Sequence, residues 1–393
     1  MPEPDLPFSR EEYAARLAKT RAAMDAAGIE LLVATDPSNM AWLTGYDGWS
    51  FYVPQGVLVP PAGEPVWWGR GQDEAGALRT VFMAGDNVVA YPDHYVMTTE
   101  RHPVEHLAAL ISERGFAAMR IGVEMDNYYY SAAAHAVLGR SLPDAEFVDA
   151  TLVVNWERAV KSERELDYMR TAGRIVTRMH ERIAEIAEPG RRKNDIAAEI
   201  LRVGIEGLPD AGGDYPAIVP LLPSGADASA AHLTWTDAPL RTGEGTFFEI
   251  AGCYRRYHCP LCRTVYLGEP PERVWRAEAA LLEAMDEGLG RARAGNTCRD
   301  VASAFFGTLE KHGIEKDSRA GYPIGLSYPP DWGERTFSIR RSDMTELRAG
   351  MTFHFMTALW FDDWGLEVTE SIAIRDGAPE LLANVPRRLT VKP

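Results

Sequence analysis

GTFFEIAGCYRRYHCPLCRTVYL, residues 245–267, carries two apolar runs on either side of a short basic turn. GTFFEIAGCY and CRTVYL read as paired strands, and the first places one carboxylate, Glu249, inside an otherwise apolar run. Further strands are expected in GMTFHFMTALWF (350–361) and GLEVTESIAI (365–374), several bounded by Gly, Pro or Asp. Around them lie helical patterns, NDIAAEILRVGI (194–205) and residues 272–295, and a capping box, Ser162 with Glu165, opens a long helix ending near Pro189 and Gly190. Helices with hairpin-like strand pairs give an α+β domain with an antiparallel sheet. Upstream the texture differs. Ser9 with Glu12 has capping-box spacing, and ELLVAT (30–35), GVLVP (56–60) and MRIGVEM (119–125) alternate with helical segments such as PVEHLAALISERG (103–115). That alternation predicts an α/β domain over residues 1–155, followed by the α+β domain over 156–393.

The 393 residues suit two domains. No apolar run reaches membrane-spanning length, and MPEPDLPFSREEY has neither a basic nor an apolar leader region. Four cysteines, three of them at Cys253, Cys259 and Cys262, do not resemble a secreted disulfide framework, so the cytoplasm is the expected compartment. Cys259 and Cys262 are expected to be buried small hydrophobes rather than half of a zinc site. A net charge of −16 argues against nucleic acid or an anionic membrane as partner, and suits solubility or a cation-bearing substrate.

Several motifs occur in an order that resembles one family. DPSNMAWLTGY (36–46), AVKSERELDYMRTAG (159–173) and ELRAGMTF (346–353) are similar to segments of the creatinase/aminopeptidase P proteins, whose C-terminal domain is the pita-bread fold with a curved antiparallel sheet. Metal-dependent members hold two divalent cations with two Asp, one His and two Glu. The resemblance places Glu249, Pro260, Tyr322 and Met356 at four of those positions, and Thr369 or, with a slip of one, Glu370 at the last. Proline and methionine cannot bind a hard cation, so no metal and no other cofactor is expected.

The same resemblance points to metal-free C–N hydrolysis of the creatinase kind, since an amidinium carbon is already polarised by its own charge. His232, in ASAAHLTWTDAPLRTGEG, falls where relatives keep a proton-shuttling His. Glu249 is either an anion opposing the amidinium or a nucleophile. Tyr322 is expected to donate a hydrogen bond into the cavity. Of Glu367 and Glu370, three apart and so on opposite strand faces, Glu370 is expected to face the site. Arg335 is placed like the clamp for a substrate carboxylate. Phe51, Trp49 and Tyr52 are expected near the substrate in a homodimer, with Met356 and Glu367 completing its lining. NMAWLTGYDGWSFYVPQGV (39–57) and FFEIAGCYRRYHCPLCRTV (247–265) look like the ectoine-hydrolase branch of the family, which implies ectoine and 5-hydroxyectoine as small-molecule substrates. Two alternatives stand beside this: a creatinase-like hydrolase of another amidine or guanidine, and an inactive pita-bread binding module.

Overall fold

A computed structural model describes residues 4–393, which divide into two compact units meeting in sequence between Arg158 and Ala159. The N-terminal unit begins with α1 (Arg10–Ala26), whose N-cap Ser9 accepts from the Glu12 amide. It continues through β1 (Leu31–Ala34), α2 (Pro37–Thr44), β2 (Gly56–Val59), β3 (Val66–Arg70), α3 (Glu74–Thr80), β4 (Val88–Tyr91), α4 (Pro103–Glu113), β5 (Arg120–Val123), α5 (Ala132–Ser141), β6 (Glu146–Asp149) and α6 (Val153–Arg158). The strands form one six-stranded sheet in the order β4-β3-β2-β1-β5-β6. β1 pairs parallel with β5 and antiparallel with β2. β1 and β2 are buried along their whole length, which is why both read as continuous apolar runs. α4 covers the sheet with Val104, Leu107 and Ile111, each buried side chain worth roughly 1.5–3 kcal/mol.

The C-terminal unit opens with α7 (Glu163–Ile186), capped by Ser162 and Glu165 in a reciprocal box. α8 (Lys193–Glu206), β7 (Gly245–Tyr254), β8 (Tyr257–Leu267), α9 (Glu272–Leu289), α10 (Cys298–Lys311), β9 (Tyr322–Pro323), β10 (Thr352–Phe355), β11 (Leu359–Trp360), β12 (Gly365–Leu366), β13 (Glu370–Ala373), β14 (Glu380–Leu381) and β15 (Thr390–Lys392) follow. β7 and β8 form the expected hairpin, with Arg255 and Arg256 at positive φ in its turn and Glu249 opposite Cys262. α7 runs against this hairpin at close range: a Cβ on Gly252 meets the Ala172 carbonyl oxygen at 2.0 Å, so only glycine fits there.

A four-stranded sheet has the order β14-β13-β10-β9 and is antiparallel throughout, and β11 and β12 form a short antiparallel pair of their own. β15 lies parallel on β8, an exception to the antiparallel expectation carried by a three-residue strand too short to read. Two runs expected as single strands are interrupted: β10 stops at Phe355 before β11, and Glu367 to Thr369 separate β12 from β13. Those interruptions shape the site.

Candidate active site

Glu249 is 3% exposed in the middle of β7, and Glu367 is fully buried in the break after β12. Burial first, and then the charge of Glu367, push the Glu249 carboxyl well above its ordinary range, while hydrogen bonding from Tyr322 offsets part of the shift. Burial likewise raises Glu367 to about 7, against opposing contributions from Cys262, Trp360 and the Lys316 ammonium. Two carboxyls that feel each other's charge in a dry site cannot both ionise readily. Glu367 Oε1 accepts from Trp360 Nε1 at 3.0 Å and the Cys262 thiol is a weak donor to the carboxyl, but no N–H or O–H group meets its buried Oε2. A buried acceptor left open beside a second carboxyl is a seat for a cation.

Tyr322 completes the group through a chain of hydrogen bonds. Thr369 Oγ1 accepts from the Cys262 amide at 2.8 Å and lies 2.7 Å from His354 Nε2. His354 is fully buried, and desolvation holds its pKa down to about 3, so the ring is neutral. The assignment that gives every donor an acceptor has Thr369 donating to Nε2, which leaves the ring hydrogen on Nδ1. Nδ1 then donates to the Tyr322 hydroxyl at 2.9 Å, where Trp332 Nε1 also donates at 2.9 Å. Both lone pairs of the Tyr322 oxygen are taken, so its own hydrogen is directed at Glu249. Burial and the Glu249 charge raise the phenol well above its ordinary range, which keeps that hydrogen in place.

Glu370 corrects the sequence reading. It points away from this group and pairs with Arg263 at 2.7 Å, both side chains buried. Arg263 Nε donates to Pro386 O, and its remaining hydrogens go to the carbonyls of Cys262, Thr369 and Val385, so the guanidinium is saturated. The alternation that separates the two glutamates was right, but the register places Thr369, not Glu370, on the face of His354. Breaking a buried, fully bonded ion pair leaves an uncompensated charge. Glu370→Ala is expected to lose about 3–5 kcal/mol in urea unfolding, whereas loss of activity in a fully stable variant speaks for a catalytic role.

Met356 is buried just after β10. Arg335 sits half-buried at φ 65° in the loop after the buried Glu334, which pairs with Lys161. Phe51, Trp49 and Tyr52 belong to the N-terminal unit, where Trp49 packs on Phe51 and Trp49 and Tyr52 are 57% and 59% exposed. His232 is exposed, in the segment between a 3-10 turn (Gly225–Ser229) and β7, and the structure does not bring it to the carboxyls. Its segment does start at the site, because Ala228 packs with Phe247, Cys262 and Trp360. As placed, His232→Ala costs less than about tenfold in kcat. A loss of about a hundredfold or more shows that this segment folds onto Glu249 in the substrate complex and restores the shuttle. All four cysteines are buried, and burial raises the Cys259 thiol to about 12, so none is a ready nucleophile.

His354, Trp332, Trp360 and Lys316 were not singled out from sequence. His354 had a signal: it lies two residues from Met356, on the same face of the expected strand.

This arrangement of an α/β unit before a pita-bread unit is that of a known family. The model of metallopeptidase family M24 matches residues 167–376, and that of the creatinase/prolidase N-terminal domain matches residues 16–160. The chain belongs to this family of hydrolases. It is 58% identical to the ectoine hydrolase of Halomonas elongata, over 98% of this chain and 99% of that protein. It is 40% identical to an uncharacterized hydrolase/peptidase of Sinorhizobium fredii, over 98% and 99% of the two chains. A crystal structure of a prolidase from Thermococcus sibiricus shares the fold, with a TM-score of 0.84 at 19% identity over 97% of this chain and 99% of that one.

The family's name implies a metal, and the residues present do not fit one. Pro260 and Met356 offer no oxygen or nitrogen donor, Thr369 is engaged by His354 and Cys262, and Tyr322 already accepts two hydrogen bonds. Among the described residues no group of three or more His, Cys, Asp or Glu is placed to hold an ion. None of their helices is long and apolar enough to cross a membrane.

Proposed function

We propose that this chain hydrolyses the cyclic amidine of ectoine, and of 5-hydroxyectoine, opening the ring to an N-acetylated 2,4-diaminobutyrate without a metal. The observation that carries the reading is the buried Glu249–Glu367 pair with an open acceptor at Glu367 Oε2. An amidinium supplies one positive charge spread over two N–H groups, which matches a pair of carboxyls sharing one proton. The 58% identity to a protein named ectoine hydrolase supports the same substrate.

In this mechanism the proton of the pair passes from Glu249 to Glu367 as the amidinium seats on them, and the ionised Glu249, oriented by Tyr322, then takes a proton from water as the water oxygen bonds to the ring carbon bearing the methyl group. The cationic carbon needs no Lewis acid; its charge is neutralised on nitrogen. Glu367 then gives its proton to the departing ring nitrogen as the C–N bond breaks. The hydroxyl proton of the collapsing intermediate returns to Glu367, and the amine takes up the proton held by Glu249. The aromatic side chains Phe51, Trp49 and Tyr52 act, in this proposal, by closing over the site of a second copy in a homodimer. Incubation with ectoine, creatine and a Xaa-Pro dipeptide in parallel, followed by proton NMR, tests the reading. Acetylated diaminobutyrate from ectoine alone supports it; turnover of the guanidine or the peptide instead refutes it.

A further inference from the structure

The segment between α10 and β9 carries two cations that the mechanism above does not use. Lys316 lies half-buried with its Nζ 4.6 Å from the centre of the Trp360 ring, and it donates to Ser318 Oγ at 2.7 Å. Trp360 is the residue whose Nε1 holds Glu367. Arg319 lies half-buried with its guanidinium 4.6 Å from the centre of the Tyr322 ring, and its hydrogen bond goes to Ser338 Oγ at 3.5 Å. Tyr322 is the residue that holds Glu249. The same pattern thus occurs twice: a cation, an aromatic ring, then a buried carboxyl.

Among the described residues neither Lys316 nor Arg319 makes an ion pair, whereas neighbouring Arg341 meets Glu310 at 2.6 Å. The charges facing Lys316 are Glu367 and Asp317, and those facing Arg319 are Asp331 and, repulsively, Arg340. Burial lowers both pKa values, that of Lys316 to about 8, the mark of cations short of counter-charge. A cavity of about 690 Å³ opens beside them; Arg340 and Arg341 add to its cations, and Glu310, Glu315 and Asp317 are its carboxylates, with Glu310 already paired to Arg341. A partly desolvated cation without a carboxylate partner is favourable only where an anion arrives to pair with it.

We propose that Lys316 and Arg319 form the subsite for the carboxylate of a small zwitterionic amidine whose cationic end sits on Glu249 and Glu367. The inference rests on the functional reading above and moves the carboxylate clamp from Arg335 to this segment.

The test compares ectoine with its neutral carboxamide in the wild-type protein and in Lys316→Met, Arg319→Gln and Arg319→Lys, with thermal unfolding as a check on folding. Each charge-removing variant is expected to raise KM for ectoine about 10- to 100-fold, the worth of a charge-assisted hydrogen bond. kcat stays within about threefold, and Arg319→Lys recovers part of the loss. The wild-type protein prefers the acid to the amide, and the charge-removing variants lose that preference, which a merely structural role does not produce. Wild-type turnover of ectoine with undiminished acid preference in the variants refutes the subsite alone. No wild-type turnover of ectoine refutes the functional reading and the subsite with it.

Discussion

Glu249→Gln lowers kcat for ectoine by about a thousandfold or more while the protein stays folded. The substitution keeps the shape of the side chain and its hydrogen bond from Tyr322, and it removes only the ability to take a proton or bond to carbon. No other described carboxyl accepts from the Tyr322 hydroxyl. Because burial and Glu367 oppose ionisation at this position, the neutral amide also relieves an unfavourable charge, so its thermal midpoint is expected at or above that of the parent. Near-normal kcat in a folded Glu249→Gln protein removes Glu249 from the chemistry.

Glu367→Gln has the second large effect, with opposite signs on activity and stability. The folded-state pKa of Glu367 is about 7 against an ordinary 4.5, so the folded protein keeps a proton that the unfolded chain gives up. The sign follows from linkage: stability is unaffected below the unfolded value, falls as pH rises from about 4.5 to about 7, and is then level. A glutamine at this position has no such slope. The variant should match the parent at the acid end and exceed it by ~3 kcal/mol at pH 8 in urea unfolding, while kcat/KM drops about a hundredfold through loss of the proton donor. A variant that is no more stable at pH 8 than at pH 4.5, relative to the parent, contradicts the buried-pair account.

The hairpin of residues 245–267 was legible because both strands are buried along nearly their whole length and the turn between them is basic. The helix caps at Ser9 and Ser162 were legible for the same local reason: a side chain and an amide three residues on. Glu249 stood out as a carboxyl in an apolar strand. The choice between Glu367 and Glu370 did not, because their spacing puts them on opposite faces without saying which face His354 shares, and a one-residue slip inverts the answer. The chain from Thr369 through His354 to Tyr322 and Trp332 joins residues far apart in sequence, and no spacing rule connects them. Arg335 is legible only through its position in a motif. Lys316 and Arg319 declare themselves only through the rings they lie on and the carboxylates they lack.

The proposed mechanism runs this site of a metallopeptidase fold on a pair of buried carboxyls in place of a pair of metals. Its most direct test is ectoine turnover by protein dialysed against a chelator and verified metal-free by elemental analysis, with and without added Mn²⁺, Co²⁺ or Zn²⁺. Undiminished formation of the acetylated diaminobutyrate, with no stimulation by any of the ions, is the expected result. Loss of activity on dialysis, restored by a stoichiometric amount of one divalent metal, contradicts it.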